Sequence, residues 1–222
     1  LYTSDASAAD TLQAQTNCPV IVLSYGSTLA FDTNVKKSIS LLGKVLNKED
    51  RANELIDYID DLQSDLGERT SDIADEDKPT VYVGAQSFYG SNGFLSSSLN
   101  YSIFNLINVK NALSETTYTG VNVTVDLETL VSLDPDKIIV DAGGIAKMKS
   151  EYANQETADV YNAVSAVKKG EVYLQMPYNA YYTNIETAYI DAYYIASVVY
   201  PAQFSDVDIA KKADEIFTMF LG

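Results

Sequence analysis

Residues 125–144 read VDLETLVSLDPDKIIVDAGG, and their reading decides the fold class. DLETLVSL (126–133) carries apolar residues at helical spacing, with Asp126 placed as the N-cap of a short helix. KIIVDA (137–142) is a near-continuous apolar run, the pattern of a strand covered on both faces. Strands that are buried on both sides belong to sheets with helices packed above and below, which points to parallel α/β architecture.

The alternation continues in both directions. TVYVGA (80–85) and EVYLQM (171–176) read as further strands, and LNYSIFNLINVKNAL (99–113) as a helix. Helical patterning returns over 151–166, over IETAYIDAYYIASVVY (185–200) behind an Asn184 cap, and over DIAKKADEIFTMF (208–220). Upstream, AADTLQAQTN (8–17) is a short helix and PVIVLSY (19–25) a strand. Val35, Ile39, Leu42, Val45 and Leu46 then recur at helical spacing, as do Leu55, Ile56, Ile59, Leu62 and Leu66. Asn47 is expected to cap a restarted helix from about 48 to 66 or beyond, roughly 30 Å long at 1.5 Å per residue. SDIADEDKP (71–79) closes that section. The expected fold is α/β, with a mainly parallel sheet built from 80–85, 137–142 and 171–176 and helices on both faces.

Composition removes several function classes. With 222 residues and 46% apolar content, the chain has ample material for a core. Its net charge of −16 opposes nucleic-acid binding, which needs clustered Lys and Arg, and opposes docking on an anionic leaflet. There is no histidine, so Ser-His-Asp triads, Cys-His dyads and imidazole-ligated zinc sites have no ligand or base. The single cysteine, Cys18, precludes an internal disulfide and is expected to be a small buried residue. GSNG (90–93) fits neither a dinucleotide fingerprint nor a phosphate loop. No run of about 18 apolar residues is present. The first residue is Leu1 and not Met, and the chain is expected to begin inside a longer gene product.

In open parallel sheets, ligands sit beyond the carboxyl ends of the strands. That rule selects Ser24 and Tyr25 after 19–25; Ser87, Phe88, Tyr89 and Asn92 after 80–85; Gly143 and Gly144 after 137–142; and QMPYNAYYTN (175–184) after the last strand. The last stretch brings Tyr178, Asn179, Tyr181 and Tyr182 to one turn. Tyrosine offers apolar area and a hydrogen-bonding tip, which suits a wall facing a large, flat or metal-bearing ligand. The plainer reading is that Tyr replaces Phe in the core, since the chain has 17 Tyr against 7 Phe; Tyr193 and Tyr194, inside a helix, are assigned to that role.

As an ordered series, SISLLGKVLNKEDRANELIDYIDDL, KPTVYVGA, VDLETLVSLDPDKIIVDAGG, VYNAVSAVKKGEVYLQMPYN and DAYYIASVVYPAQF resemble one family. It is the ABC-transporter substrate-binding proteins of the iron-complex and vitamin B12 type, whose two lobes are joined by one long helix. The resemblance implies a three-layer α/β/α lobe plus an inter-lobe helix. It divides the chain into a remnant of the N-terminal lobe (1–32), a connecting helical segment (33–78) and a C-terminal lobe (79–222). It further implies a non-enzymatic, extracytoplasmic, monomeric protein that binds a small-molecule metal chelate between lobes and delivers it to an ABC permease. No cofactor or direct metal ligand is expected, and Glu115 is the assigned permease contact. A doubly wound enzyme such as a nucleotide-dependent transferase, or a sensor module on the same fold, is the alternative.

Overall fold

The computed structural model describes residues 6–24, 31–87, 90–179 and 183–222. In chain order the helices are α1 (Ala6–Thr16), α2 (Thr33–Leu46), α3 (Glu49–Ser71), α4 (Ser102–Leu106), α5 (Leu127–Leu133), α6 (Ile145–Tyr152), α7 (Gln155–Ala163), α8 (Ser165–Lys169), α9 (Ile185–Val199) and α10 (Ile209–Leu221). The strands are β1 (Thr80–Gly84), β2 (Ser96–Ser98), β3 (Lys110–Asn111), β4 (Asn122–Thr124), β5 (Lys137–Asp141) and β6 (Val172–Gln175). The chain divides into two compact units, residues 1–56 and 57–222, with the division inside α3.

In the first unit, Asp32 caps α2 by accepting the Asn34 N–H at 2.8 Å. Asn47 has the opposite role to the one expected from sequence. It ends α2 in a left-handed conformation (φ 53°), with the Lys48 N–H reaching back to the Gly43 carbonyl at 2.7 Å. Asparagine tolerates that conformation because its short side chain bonds locally. Residues 19–24 are not a strand. A strand exists only through its neighbours, and this unit offers none among the described residues. Ile21 and Val22 therefore stand exposed, and Cys18 is exposed where burial was expected.

The second unit contains the expected parallel α/β sheet. Its main sheet has the order β3-β1-β5-β6, and every pairing is parallel. Alternation along the strands splits the core in two. Tyr82, Ile138 and Val140 join Leu130, Tyr161, Val164 and Ala166 in a cluster on the face covered by α5, α7 and α8. Val81, Val83 and Ile139 point to the opposite face and are likewise fully buried. Helices lie on both faces, as the apolar strands required.

From Asp57 onward α3 packs against α9 and α10. Ile59, Leu62 and Leu66 are buried, while Tyr58 donates to Glu215 (2.8 Å) and Tyr193 to Asp65 (2.7 Å). All 23 residues of α3 form one unbroken helix, about 35 Å long.

Two expected helices are shorter than the apolar pattern suggested. The 99–113 segment is helical only over α4, because Asn108 turns left-handed (φ 54°) and the chain enters β3. The 151–166 region belongs to three short helices, α6 to α8, interrupted where Asn154 caps α7 through the Thr157 N–H. The small antiparallel sheet β2-β4 was not foreseen.

Candidate functional site

The loops after β1, β5 and β6 meet at the carboxyl edge of the sheet, and buried polar side chains organise them. Asp141, the last residue of β5, is fully buried. Its Oδ2 accepts the Ser87 N–H at 2.8 Å and its Oδ1 accepts the Gly143 N–H at 2.8 Å. Asp191 lies buried in the middle of α9, and its Oδ1 accepts the Met176 N–H at 2.9 Å. The strand register sets Asp141 beside Gln175, whose Oε1 accepts from the buried Tyr101 hydroxyl at 2.7 Å. Three loops are thus anchored by two carboxylates, and Gln175 ties β6 to the start of α4.

Burial pushes the Asp141 carboxyl above its ordinary range, although the Ser87 and Gly143 amides pull the other way. Burial also raises Asp191, to about 8, with the Met176 N–H opposing and the Asp141 charge adding to the rise. Among the described residues, three buried atoms of the cluster find no hydrogen-bond partner: Gln86 Oε1, Gln175 Nε2 and Asp191 Oδ2.

The loop after β1 is held tightly. Ala85 takes a left-handed conformation (φ 56°), and its N–H bonds to the Phe94 carbonyl at 3.3 Å. A side chain at Gly144 would meet Ala85 Cβ and the Asn92 carbonyl, each at 2.5 Å. Glu151 braces the far end of the loop by accepting the Phe94 N–H at 3.0 Å and the Tyr161 hydroxyl at 3.1 Å.

Among the residues selected from sequence, Ser87 and Asn92 lie in this loop. Ser87 is buried, and Asn92 donates to the Gln86 carbonyl at 3.1 Å. Asn179 is half-buried and accepts the Thr183 hydroxyl at 3.0 Å. Tyr178 belongs to the interior: it is 4% exposed, its ring sits 6.2 Å from that of Tyr101, and burial lifts its hydroxyl to about 12. Ser24 is exposed in the first unit, where its carbonyl accepts the Ser38 hydroxyl, and Glu115 is exposed in the second. Tyr25, Phe88, Tyr89, Tyr181 and Tyr182 lie outside the described residues.

Sequence reasoning missed Asp191, Gln175 and Tyr101. Asp191 carried a signal, being the one acid among the apolar residues of ETAYIDAYYIASVVY after Glu186. Apart from this edge, a cavity among α3, α9 and α10 is lined by Asp65, Arg69 and Lys212, whose charges pair locally. Arg69 reaches Asp65 at 2.9 Å and Asp206 at 2.7 Å, and Lys212 reaches Glu215 at 2.8 Å. No helix among the described residues is long and apolar enough to cross a membrane.

The sequence profile of the periplasmic binding proteins matches residues 2–178, a span that takes in α1 to α8 and every strand of the sheet. The chain belongs to the periplasmic binding protein family. A curated relative of this family is an uncharacterized ABC transporter substrate-binding lipoprotein of Bacillus subtilis, YvrC, 26% identical over 175 residues. That match covers 77% of this chain and 51% of YvrC. The fold is shared with a periplasmic solute binding protein of Veillonella parvula (TM-score 0.76, 21% identity, 99% of this chain and 64% of that one). It is shared too with the Haemophilus influenzae molybdate-binding protein MolA, solved with molybdate (TM-score 0.68, 20% identity, 97% and 69%). The chain therefore spans about half the length of its curated relative and just under two thirds of the Veillonella structure.

Proposed function

We propose that this chain is part of the solute-binding component of an ABC importer, which holds an iron complex or similar metal chelate between two lobes and delivers it to a membrane permease. The observation that carries the reading is the family match over 2–178, because it includes the loops after β1 and β5 and the start of the loop after β6. In this reading residues 1–32 belong to the N-terminal lobe, 33–78 connect the lobes, and 79–222 form the C-terminal lobe. Ser24, Tyr25, Phe88, Tyr89, Asn92, Asn179, Tyr181 and Tyr182 face the ligand. Ser87 and Tyr178, both buried, support that wall from behind. Glu115, exposed beyond β3, meets a basic residue of the permease. The protein works outside the cytoplasmic membrane as a monomer, in keeping with a relative that is a lipoprotein.

The enzyme alternative finds less support. Its acids at the carboxyl edge, Asp141 and Asp191, are buried and occupied by backbone amides, so neither is presented to a substrate.

Titration of haemin, ferric siderophores, cobalamin and molybdate tests the reading. The chain lacks tryptophan, so quenching reports on tyrosines directly. Saturable binding of a metal complex, weakened by Tyr89→Ala and by Tyr182→Ala, is expected. Absence of binding to every one of these, in the longest product the gene encodes, would sink it.

A further inference from the structure

The loop that leaves β1 is closed at its base, and its glycines show what that closure requires. The Phe94 carbonyl accepts the Ala85 N–H at 3.3 Å and the Tyr82 hydroxyl at 3.1 Å, while the Gln86 N–H reaches the Ser96 carbonyl at 3.1 Å. The two ends of the 85–94 excursion are thereby held together, as in a compact Ω-loop. The Phe94 ring is buried, edge-on to Tyr82 (5.9 Å between centroids) and to Tyr161 (4.7 Å). The Phe94 N–H has a side-chain acceptor on another helix. Glu151 Oε2, from α6, takes it at 3.0 Å and takes the Tyr161 hydroxyl at 3.1 Å.

Two glycines of this loop are glycine for different reasons. Gly90 has nothing within 4 Å of an added Cβ, and its backbone is what demands glycine, at φ 131°. Gly93 is the reverse. Its φ is not positive, so its backbone suits any residue. The three atoms nearest to a Cβ built there all belong to Glu151: Oε1, which it would overlap, Cδ at 2.6 Å and Oε2 at 3.0 Å. The carboxylate lies directly over the bare Cα of Gly93 and bonds to the next amide in the chain.

We infer that Glu151 is a positioning residue of the solute site, holding the loop after β1 in one conformation before any solute arrives, and that Gly93 is glycine in order to admit its carboxylate. Glu151 acts through Phe94: it fixes the returning end of the loop, and the Phe94 carbonyl passes that constraint to Ala85 at the outgoing end. Asp141 holds Ser87 from the β5 side, so the loop is gripped from two elements. A loop ordered in advance spares the solute the cost of ordering it, which appears as affinity and slow release. The effect on solute rests on the function proposed above, whereas the hold on the loop does not.

Amide exchange followed by NMR and solute release test this in the longest product the gene encodes. In Glu151→Ala, protection of the Ala85 and Gln86 amides should fall about tenfold beyond any change at the Ile139 amide of β5, which reports global unfolding. Glu151→Gln keeps an acceptor oxygen at the same reach and should restore most of that protection. Gly93→Ala retains Glu151 but displaces its carboxylate, and should reproduce the loss. The double variant Gly93→Ala/Glu151→Ala should exchange no faster than Glu151→Ala alone, because the obstacle to the new methyl has gone. Haemin, a ferric hydroxamate, cobalamin and molybdate are the solute probes. Whichever of them the unaltered protein binds should leave about tenfold faster from Glu151→Ala and from Gly93→Ala, and within about twofold of the parental rate from Glu151→Gln. Loss confined to the Phe94 amide, or fully additive effects of the two substitutions, would overturn the inference. A loosened loop with unaltered release would remove Glu151 from the solute site. If none of the four probes binds, it is the function proposed above that fails, and the exchange rates still decide the hold on the loop. Should Glu151→Ala not fold, Gly93→Ala and Glu151→Gln supply the same comparison.

Discussion

The carboxylate of Asp141 holds the backbone N–H of Ser87 at 2.8 Å, across 54 residues of chain, while its second oxygen holds Gly143. One side chain therefore fixes the loops that leave two neighbouring strands. Asp141→Ala leaves both amides without their acceptor, at an expected cost of about 2–4 kcal/mol. Urea denaturation measures it, as a lower midpoint with an unchanged slope. A loss under about 0.5 kcal/mol would mean that water replaces the carboxylate freely.

Two glycines should respond to alanine with opposite signs. At Gly144 the new Cβ would meet Ala85 and the Asn92 backbone at 2.5 Å, so Gly144→Ala is expected to cost about 1–3 kcal/mol. Gly67 sits inside α3 with nothing within 4 Å of that position, and Gly67→Ala should stabilise by about 0.5–1 kcal/mol. Thermal melting of both variants is sufficient to check the pair.

The Tyr193 hydroxyl donates to Asp65 at 2.7 Å and pins α9 to α3. Asp65 is 40% exposed and can turn to water, so Tyr193→Phe should cost only about 1 kcal/mol. A double-mutant cycle with Asp65→Asn isolates the bond, and a coupling energy near zero would deny it any role in stability.

Stability should be greatest in mildly acidic solution. Asp191 has its folded value raised to about 8, so its contribution is complete below the ordinary value of 3.8 and is lost as pH rises through 8. Over that window it alone lowers stability by about 1.4 kcal/mol per pH unit. Asp126 behaves in the reverse sense. The Thr129 N–H and the Tyr118 hydroxyl hold it down at about 2, so its contribution is present above 3.8 and disappears as pH falls through 2. A melting temperature that peaks at about pH 4–5 is expected. Asp191→Asn should flatten the alkaline side and leave the acid side unchanged. A melting temperature that climbs steadily from pH 5 to 8 would contradict the assignment.

Much of this molecule was legible in its amino-acid order. Period-two and near-continuous apolar runs identified β1, β5 and β6, and helical spacing identified α3, α5, α9 and α10, because side-chain direction within an element is a local property. Asp126 behaved as the cap its position announced, since an N-cap satisfies amides only three residues away. What tertiary structure alone decided was everything that depends on a partner distant in the chain. PVIVLS has the composition of a strand but no neighbour to pair with among the described residues, and it forms no regular element. Asn47 is suited to either end of a helix, and the contact of Gly43 with the following turn made it the end of α2. Tyr178 has the chemistry of a ligand wall, yet Tyr101 and α9 enclose it. Asp191 reads in sequence as one acid in an apolar helix. Only the packed fold, which brings the Met176 N–H to its carboxylate, makes it the anchor of the loop after β6. Local periodicity states which way a side chain points, and only the packed fold determines what it meets there.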